Sequence, residues 1–248
     1  GAARSSSGIR FIRSSSLFWV IRGHLMNILR ALRPPDLFTM LNIALGFAAI
    51  LVICESQSLD FLKIAVVLII LAAIADGLDG FVARKRGSGP LGANLDSLAD
   101  LVSFGVAPAF LVVQAFSLPF LIWPAAIFFV ICGALRLARF NISNKSDQLF
   151  EGLPIPAAGM ALSASVLLGR PGLAVTLMLI LALLMISSIP YPKIRDKRVL
   201  SILGFFTIAA AWAVFFQSNT IYTAILLGAL IIMYLLSPVV ISRLQKGK

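Results

Sequence analysis

Charged residues are scarce in this 248-residue sequence: Asp, Glu, Lys and Arg together make up 12% of it, whereas hydrophobic residues make up 60%. A soluble domain has no need for so much continuous apolar sequence. The composition therefore excludes an ordinary soluble domain and predicts an integral membrane protein in a lipid bilayer.

Cysteine and histidine are scarcer still, with two cysteines and one histidine. Cys54 and Cys132 lie inside apolar segments, where the side chain behaves as a small hydrophobe, so neither a disulfide nor a cysteine metal site is predicted. His24 lies in a basic N-terminal segment, and a histidine metal site would need a second histidine. Any metal site in this chain is therefore expected to use oxygen ligands.

Apolar segments recur along the whole chain and predict an all-α fold with about eight transmembrane helices. Several segments are shorter than the roughly 20 residues that usually cross a bilayer, so their ends are approximate. The predicted spans cover residues 37–54, 61–82, 95–116, 119–135, 155–168, 172–189, 199–216 and 221–241.

The positions of the 21 Lys and Arg residues predict the orientation of these spans. Almost all of them precede the first span or follow the second, fourth, sixth or eighth. Positive charge gathers on the cytoplasmic side of membrane proteins, so the alternation predicts that both termini are cytoplasmic. The net charge of +11 is explained by topology, and no nucleic-acid partner is predicted.

One helical membrane domain is predicted over residues 36–248, after two shorter segments. Residues 1–8 lack a starting Met and are interpreted as a tag remnant or a disordered leader. Residues 9–35 intersperse Phe, Trp, Leu and Ile with Arg at roughly helical spacing, which predicts an amphipathic helix in the cytoplasmic interface. A disordered segment is the alternative for residues 9–35.

Acidic residues are concentrated in one stretch, residues 73–105, which reads AIADGLDGFVARKRGSGPLGANLDSLADLVSFG. Asp76 and Asp79 are three apart at the end of the second span, and Asp96 and Asp100 are four apart at the start of the third. Residues at these spacings share a helix face, so two adjacent helix ends can direct four carboxylates toward one point. Such like charges repel strongly in an apolar setting unless cations neutralise them.

These carboxylates predict a divalent metal site. Oxygen ligands alone favour Mg²⁺ or Mn²⁺, with Ca²⁺ as an alternative, and shared carboxylates can hold two ions about 4 Å apart around a phosphoryl group. Between the acids, Gly80, Ala83 and Gly92 leave space for a substrate, and Arg84 could pair with a phosphate. These four residues also have a structural interpretation, because small residues permit helix packing and cytoplasmic loops are rich in Arg.

The spacing of this stretch resembles the signature of a known family. The pattern D-x2-D-G-x2-A-R-x7-G-x3-D-x3-D, filled by Asp76, Asp79, Gly80, Ala83, Arg84, Gly92, Asp96 and Asp100, is similar to that of the CDP-alcohol phosphotransferases. No position of the pattern departs from it. Further segments, LDSLADLVSFGVAPA, ALRLARFN, GLPIPAA and SSIPYPK, resemble the members that use serine as the acceptor alcohol.

The resemblance implies a role for each acid. Asp76, Asp79 and Asp96 would ligate one metal ion, and Asp76, Asp96 and Asp100 would ligate a second. Asp100 would also be the catalytic base that takes the proton of the serine hydroxyl, a role that metal ligation weakens by lowering its basicity. A metal-bound water or a substrate alkoxide is the alternative.

The resemblance also implies the substrates. Gly80, Ala83 and Gly92 would line the cytidine and ribose site of a CDP-lipid, either CDP-diacylglycerol or CDP-archaeol, and Arg84 would help to hold its phosphates. Asn42, a polar residue within the first span, could reach the nucleotide or could connect two helices. The resemblance further implies a homodimer.

A serine site is predicted near the end of the fourth span. Arg136 and Arg139 are three residues apart there, and Arg can bind a carboxylate through two parallel hydrogen bonds, while Asn141 can add polar contacts. The alternative is that both arginines only set the topology of the span.

Two other functions are compatible with the same residues. Within the family, the acceptor could be glycerol 3-phosphate or an inositol phosphate, each of which would favour a more basic pocket. Outside it, four acids could mark a divalent cation transporter, although a transporter predicts acids near the middle of the membrane rather than at one face.

Overall fold

The computed structural model of the chain describes residues 33–86, 91–116, 119–142 and 149–192. The predicted leader, nearly all of the predicted interfacial helix and the predicted spans 199–216 and 221–241 lie outside these residues. Pro34 and Pro35, the last two residues of the predicted interfacial segment, form the first turn of the first helix, and the predicted domain boundary stays a prediction.

The described residues form a bundle of helices whose order follows the apolar segments. The α-helices are α1 (Pro34–Glu55), α2 (Leu59–Arg86), α3 (Gly92–Asp100), α4 (Ala107–Ala115), α5 (Pro119–Ile142), α6 (Ile155–Val166) and α7 (Pro171–Ile186), and a π-helical turn, Leu101–Val106, joins α3 directly to α4.

Four helical stretches are long and apolar enough to cross a membrane: Pro34–Glu55, Leu59–Ala83, Gly92–Ala115 and Phe120–Ile142. They coincide with the first four predicted spans. Helices α6 and α7 coincide with the fifth and sixth predicted spans but have 12 and 16 residues, fewer than the roughly 20 that usually cross a bilayer. The structure therefore confirms a helical membrane protein, and the total of eight spans stays a prediction.

Helix α1 begins where the sequence favours a start. Proline is well tolerated in the first turn of a helix, because its missing N–H would have no partner there. Asp36 follows the two prolines, and its carboxylate accepts a hydrogen bond from the N–H of Arg33 at 2.7 Å. An acidic side chain in the first turn also interacts favourably with the helix dipole.

Small residues bring the helices close together at the centre of the bundle. Helix α1 packs along α2, and Ala49 of α1 and Ala65 and Ala72 of α2 are fully or almost fully buried in the core. Close packing of small residues is the usual way in which membrane helices associate, since lipid offers no hydrophobic drive for them to do so.

Two glycines from different helices lie directly against the π-helical turn. A Cβ atom on Gly46 of α1 would lie 2.6 Å from the Cα of Ser103, and one on Gly159 of α6 would lie 2.7 Å from the Cα of Phe104. Pro108 follows in α4 and has no N–H to donate to the carbonyl of Phe104, which favours an interruption of the regular helix at this point. The turn that follows Asp100 is therefore fixed by direct backbone contacts.

A short pair of strands departs from the predicted all-α class. Strands β1 (Leu149–Glu151) and β2 (Pro190–Pro192) pair antiparallel, with Phe150 opposite Tyr191. Gly152 follows β1 with φ +78°, a conformation that glycine adopts without strain, and Pro154 then caps α6. Residues 152–154 thus form a turn that leads into α6, and the strands tie this turn to the segment after α7.

Candidate active site

Three of the four predicted acids converge where the C-terminal part of α2, which contains Asp76, lies beside α3, which contains Asp96 and Asp100. Asp76, Asp96 and Asp100 each offer one carboxylate oxygen, and these oxygens all lie within 4.8 Å of one another. Asp76 and Asp96 are partly buried and Asp100 is buried. The helical spacing expected from the sequence therefore does bring these carboxylates together.

Asp79, the fourth acid, is held by a different partner. Its carboxylate accepts a hydrogen bond from the hydroxyl of Thr39 in α1, and both side chains are buried. Asp79 still lies close enough to Asp76 and Asp96 to repel them electrostatically. It therefore borders the cluster formed by the other three acids.

Helix α1 contributes a polar face that the sequence analysis largely missed. Asp36, Thr39 and Asn42 are spaced three residues apart and are all buried, although they lie on a helix that is otherwise mostly apolar. Their side chains face the ends of α2 and α3, since Thr39 bonds Asp79 and the Nδ2 of Asn42 donates to Oδ1 of Asp100 at 3.3 Å. The regular spacing of polar residues within an apolar span was the signal that could have revealed this face.

Arg136 lies beside the acids. It is buried near the end of α5 and is close enough to Asp76, Asp96 and Asp100 to attract all three, while its guanidinium carbon lies 5.4 Å from the centre of the Phe140 ring. A single guanidinium offsets only part of the negative charge of these acids. The cluster therefore remains able to attract further cations.

Arg139 is engaged elsewhere, although it is only one turn from Arg136. Its guanidinium donates to the carbonyls of Glu151 at 2.9 Å and Ser187 at 3.0 Å, with longer bonds to the carbonyls of Met185 and Ile186. It thereby satisfies carbonyls at the end of α7 and joins them to β1. In this structure Arg139 has a structural role that its spacing from Arg136 does not suggest.

The Arg139→Gln variant is expected to lose about 2–3 kcal/mol of unfolding free energy, because a hydrogen bond from a charged donor contributes roughly 1.5–3 kcal/mol. Chemical denaturation in detergent would measure this, with exposed Arg170→Gln at the start of α7 as the control. Unchanged stability together with weaker use of the acceptor alcohol would instead place Arg139 in the acceptor site.

The remaining predicted residues lie around the same end of the bundle. Asn141 and Ser97 form a side-chain pair, with Nδ2 of Asn141 donating to Oγ of Ser97 at 3.0 Å, which connects the end of α5 to α3 beside Asp96. Gly80 and Ala83 are partly exposed on α2, and Gly92 is the first residue of α3. Arg84 belongs to the last turn of α2.

The donor set suits a divalent metal ion. The ligand atoms are carboxylate oxygens that already lie close together. The combined negative charge of the three carboxylates exceeds the positive charge of the neighbouring Arg136 guanidinium. Hard divalent cations such as Mg²⁺ and Mn²⁺ prefer such ligands. The residues therefore fit the predicted kind of metal site.

The fold and the site define an integral membrane protein with an acidic cluster, suited to bind metal, at one end of its helices. The chain belongs to the CDP-alcohol phosphatidyltransferase family, whose model matches residues 32–242. This membership makes the chain a transferase and disfavours the transporter alternative.

Individual relatives are similar over about two thirds of the chain. A CDP-diacylglycerol–serine O-phosphatidyltransferase of Methanocaldococcus jannaschii is 48% identical over 65% of this chain and 75% of its own length. The archaetidylserine synthase of Methanothermobacter thermautotrophicus is 41% identical over 64% of this chain and 70% of its own. A CDP-diacylglycerol–serine O-phosphatidyltransferase of Bacillus subtilis is 37% identical over 65% of this chain and 90% of its own.

Proposed function

We propose that this protein transfers the phosphatidyl group of a CDP-lipid to the hydroxyl of L-serine, which releases CMP and forms phosphatidylserine or its archaeal counterpart. The convergence of Asp76, Asp96 and Asp100 at one end of a membrane bundle carries the proposal, because a lipid diphosphate at the bilayer surface would lie where these acids are. The relatives support serine as the acceptor, since serine occurs in the names of all three.

The serine hydroxyl is a poor nucleophile, so the reaction needs a base that removes its proton. The serine oxygen would attack the lipid-side phosphorus, the bond from that phosphorus to the bridging oxygen would break, and CMP would leave with that oxygen. Asp100 would accept the hydroxyl proton, and a base in hydrogen-bond reach contributes roughly 10²- to 10⁴-fold to such a step. Its buried position next to the other acids is consistent with this role.

Mg²⁺ or Mn²⁺ is the proposed cofactor, with two ions in the site. Asp76, Asp79 and Asp96 would hold one ion, and Asp76, Asp96 and Asp100 would hold the other. When bound, the ions would stabilise negative charge on the diphosphate and on the departing phosphate. The oxygen-only donor set of the cluster supports this assignment.

The CDP-lipid is proposed to lie along the ends of α2 and α3. Gly80, Ala83 and Gly92 would leave space for the cytidine and ribose, Asp79 and Arg84 would border the phosphates, and Asn42 would lie beside them. Gly80 and Ala83 are partly exposed, which leaves their surface accessible to a ligand. The names of the relatives differ in the lipid, so the proposed donor is either CDP-diacylglycerol or CDP-archaeol.

Serine is proposed to bind beside Arg136. This guanidinium is buried next to the acids, so it could hold the serine carboxylate while the hydroxyl faces Asp100. Asn141, with its partner Ser97, borders the same end of the bundle. Arg139 is a weaker candidate, because its guanidinium already bonds backbone carbonyls.

The site and both termini are proposed to face the cytoplasm. Arg84 follows Asp76 toward the end of α2, and Arg136 and Arg139 lie near the end of α5. These positions agree with the accumulation of positive charge on the cytoplasmic side. The lipid chains of the substrate would then stay in the bilayer against the apolar helices. The homodimer implied by the family resemblance is part of this proposal.

The proposal is tested by CMP release from the purified protein in detergent with Mn²⁺ or Mg²⁺. CDP-diacylglycerol and CDP-archaeol are each supplied with L-serine, glycerol 3-phosphate or inositol phosphate. We expect metal-dependent release that requires serine. Release with a phosphorylated alcohol in place of serine would keep the family and contradict the acceptor, and an absence of release with every combination would contradict the proposed activity.

A further inference from the structure

Asn42 connects helix α1 to the acid proposed as the base. Its side chain is completely buried, and its Nδ2 donates to Oδ1 of Asp100 at 3.3 Å. Its backbone carbonyl accepts a hydrogen bond of 2.9 Å from Oγ of Ser103, which is buried in the π-helical turn three residues after Asp100. Helix α1 is therefore attached both to the carboxylate of Asp100 and to the turn that follows it.

These contacts restrict how Asp100 can move. A carboxylate that accepts a fixed N–H loses much of its freedom to rotate, so its oxygens keep their directions toward Asp76 and Asp96. The backbone of Asn42 is itself fixed, because Gly46, one turn further along α1, lies directly against Ser103. Asn42, which holds Asp100, is thus itself held in place by the contact between Gly46 and Ser103.

The other end of the Asn42 amide shows that stability is not its main contribution. Oδ1 is buried and has no hydrogen-bond partner among the described residues. The penalty for burying an unpaired polar oxygen is similar in size to the gain from one hydrogen bond to a charged group, so the two effects nearly cancel. Further along the buried face of α1, Ala49 and Ile53 are apolar. An apolar residue would also be expected in place of Asn42 if packing were its only role.

We infer that Asn42 is a positioning residue, which orients Asp100 for metal binding and proton transfer through its Nδ2 hydrogen bond. This inference rests on the role of Asp100 in the proposed function. It assigns Asn42 an action through the protein rather than a direct contact with the nucleotide. Residues that orient a metal ligand typically change metal affinity or activity about 10- to 100-fold when they are replaced.

The test is Asn42→Leu, which has a similar branched shape but neither donates nor accepts a hydrogen bond. Mn²⁺ binding to the purified protein without substrate is expected to weaken about 10- to 100-fold. The melting temperature in metal-free buffer is expected to stay the same or rise, since the unpaired oxygen is removed. At saturating Mn²⁺, kcat is expected to fall while the KM for the CDP-lipid is unchanged.

The matched control is Ser163→Ala. Ser163 is also buried and polar, but its hydroxyl bonds the carbonyl of Gly159 within α6. This variant is expected to bind Mn²⁺ as the wild type does. If Asn42→Leu fails to fold, Ser103→Ala replaces it as the test, with weaker Mn²⁺ binding expected because the backbone of Asn42 loses its donor.

Several results would overturn the inference. Wild-type Mn²⁺ binding by Asn42→Leu or by the substitute Ser103→Ala, with weakened binding of CMP, would make Asn42 a direct nucleotide contact. A lower melting temperature with unchanged Mn²⁺ affinity would make it structural, and an absence of Mn²⁺ binding by the wild type would remove the site that it is said to support. Mn²⁺ binding needs no serine. If the wild type binds Mn²⁺ and Asn42→Leu binds it more weakly, but no serine-dependent CMP release is seen, only the proposed function is contradicted.

Discussion

The Asp100→Asn variant is expected to release CMP about 10²- to 10⁴-fold more slowly than the wild type, which is the usual effect of removing a general base. Asparagine has the same shape as aspartate, and its Oδ1 can still accept the hydrogen bond from Nδ2 of Asn42. The fold should therefore survive, and the loss should be confined to the charge and basicity of the side chain. Measurement of kcat at saturating serine and CDP-lipid tests this.

Asp60→Asn is the matched control for this variant. Asp60 is also on a membrane-spanning helix, but it is exposed in the first turn of α2, at the opposite end from Asp76. Its replacement should leave CMP release unchanged. Asp100→Asn with wild-type kcat would contradict the role of base, and Mn²⁺ binding by the same variant separates a lost ligand from a lost proton acceptor.

The position of the acidic cluster could be predicted because it depends on local rules. A three- or four-residue spacing places two carboxylates on one helix face, and consecutive membrane helices bring the end of one beside the start of the next. Asp76, Asp96 and Asp100 follow directly from these rules. The first four apolar segments likewise predicted the four long helices.

The partners of these acids could not be predicted in the same way. Thr39 precedes its acceptor Asp79 by 40 residues, and Ser103 follows its acceptor Asn42 by 61, so their contacts depend on how helices rotate against each other. The π-helical turn contributes to that rotation, and it is fixed by glycine contacts that come from two separate helices. Hydrophobic periodicity contains no information about these distant backbone contacts.

Arg136 and Arg139 show the same limit within one motif. Both belong to the segment ALRLARFN and lie one turn apart, so sequence reasoning gave them the same role. In the structure the first faces the acids, and the second reaches carbonyls of residues 185–187. The difference depends on where α7 ends, and α7 is far from this motif in the chain.

A comparison of Arg136 with Arg139 gives the second large expected effect. Arg136→Gln should raise the KM for serine about 10- to 100-fold, because a hydrogen bond to a charged group contributes roughly 1.5–3 kcal/mol and each 1.4 kcal/mol is tenfold. The KM for the CDP-lipid should change little. Arg136→Lys should recover only part of the loss, since an ammonium cannot form the two parallel hydrogen bonds of a guanidinium.

Arg139→Gln is the matched variant, since it removes the same charge from the same helix. It should lower stability and leave the KM for serine unchanged, which is the opposite pattern. If Arg136→Gln instead alters Mn²⁺ affinity and leaves the KM for serine as it is, Arg136 serves as a counter-charge to Asp76, Asp96 and Asp100. The serine carboxylate would then have to be held by other groups at this end of the bundle, and Asn141 with Ser97 would be the next pair to replace.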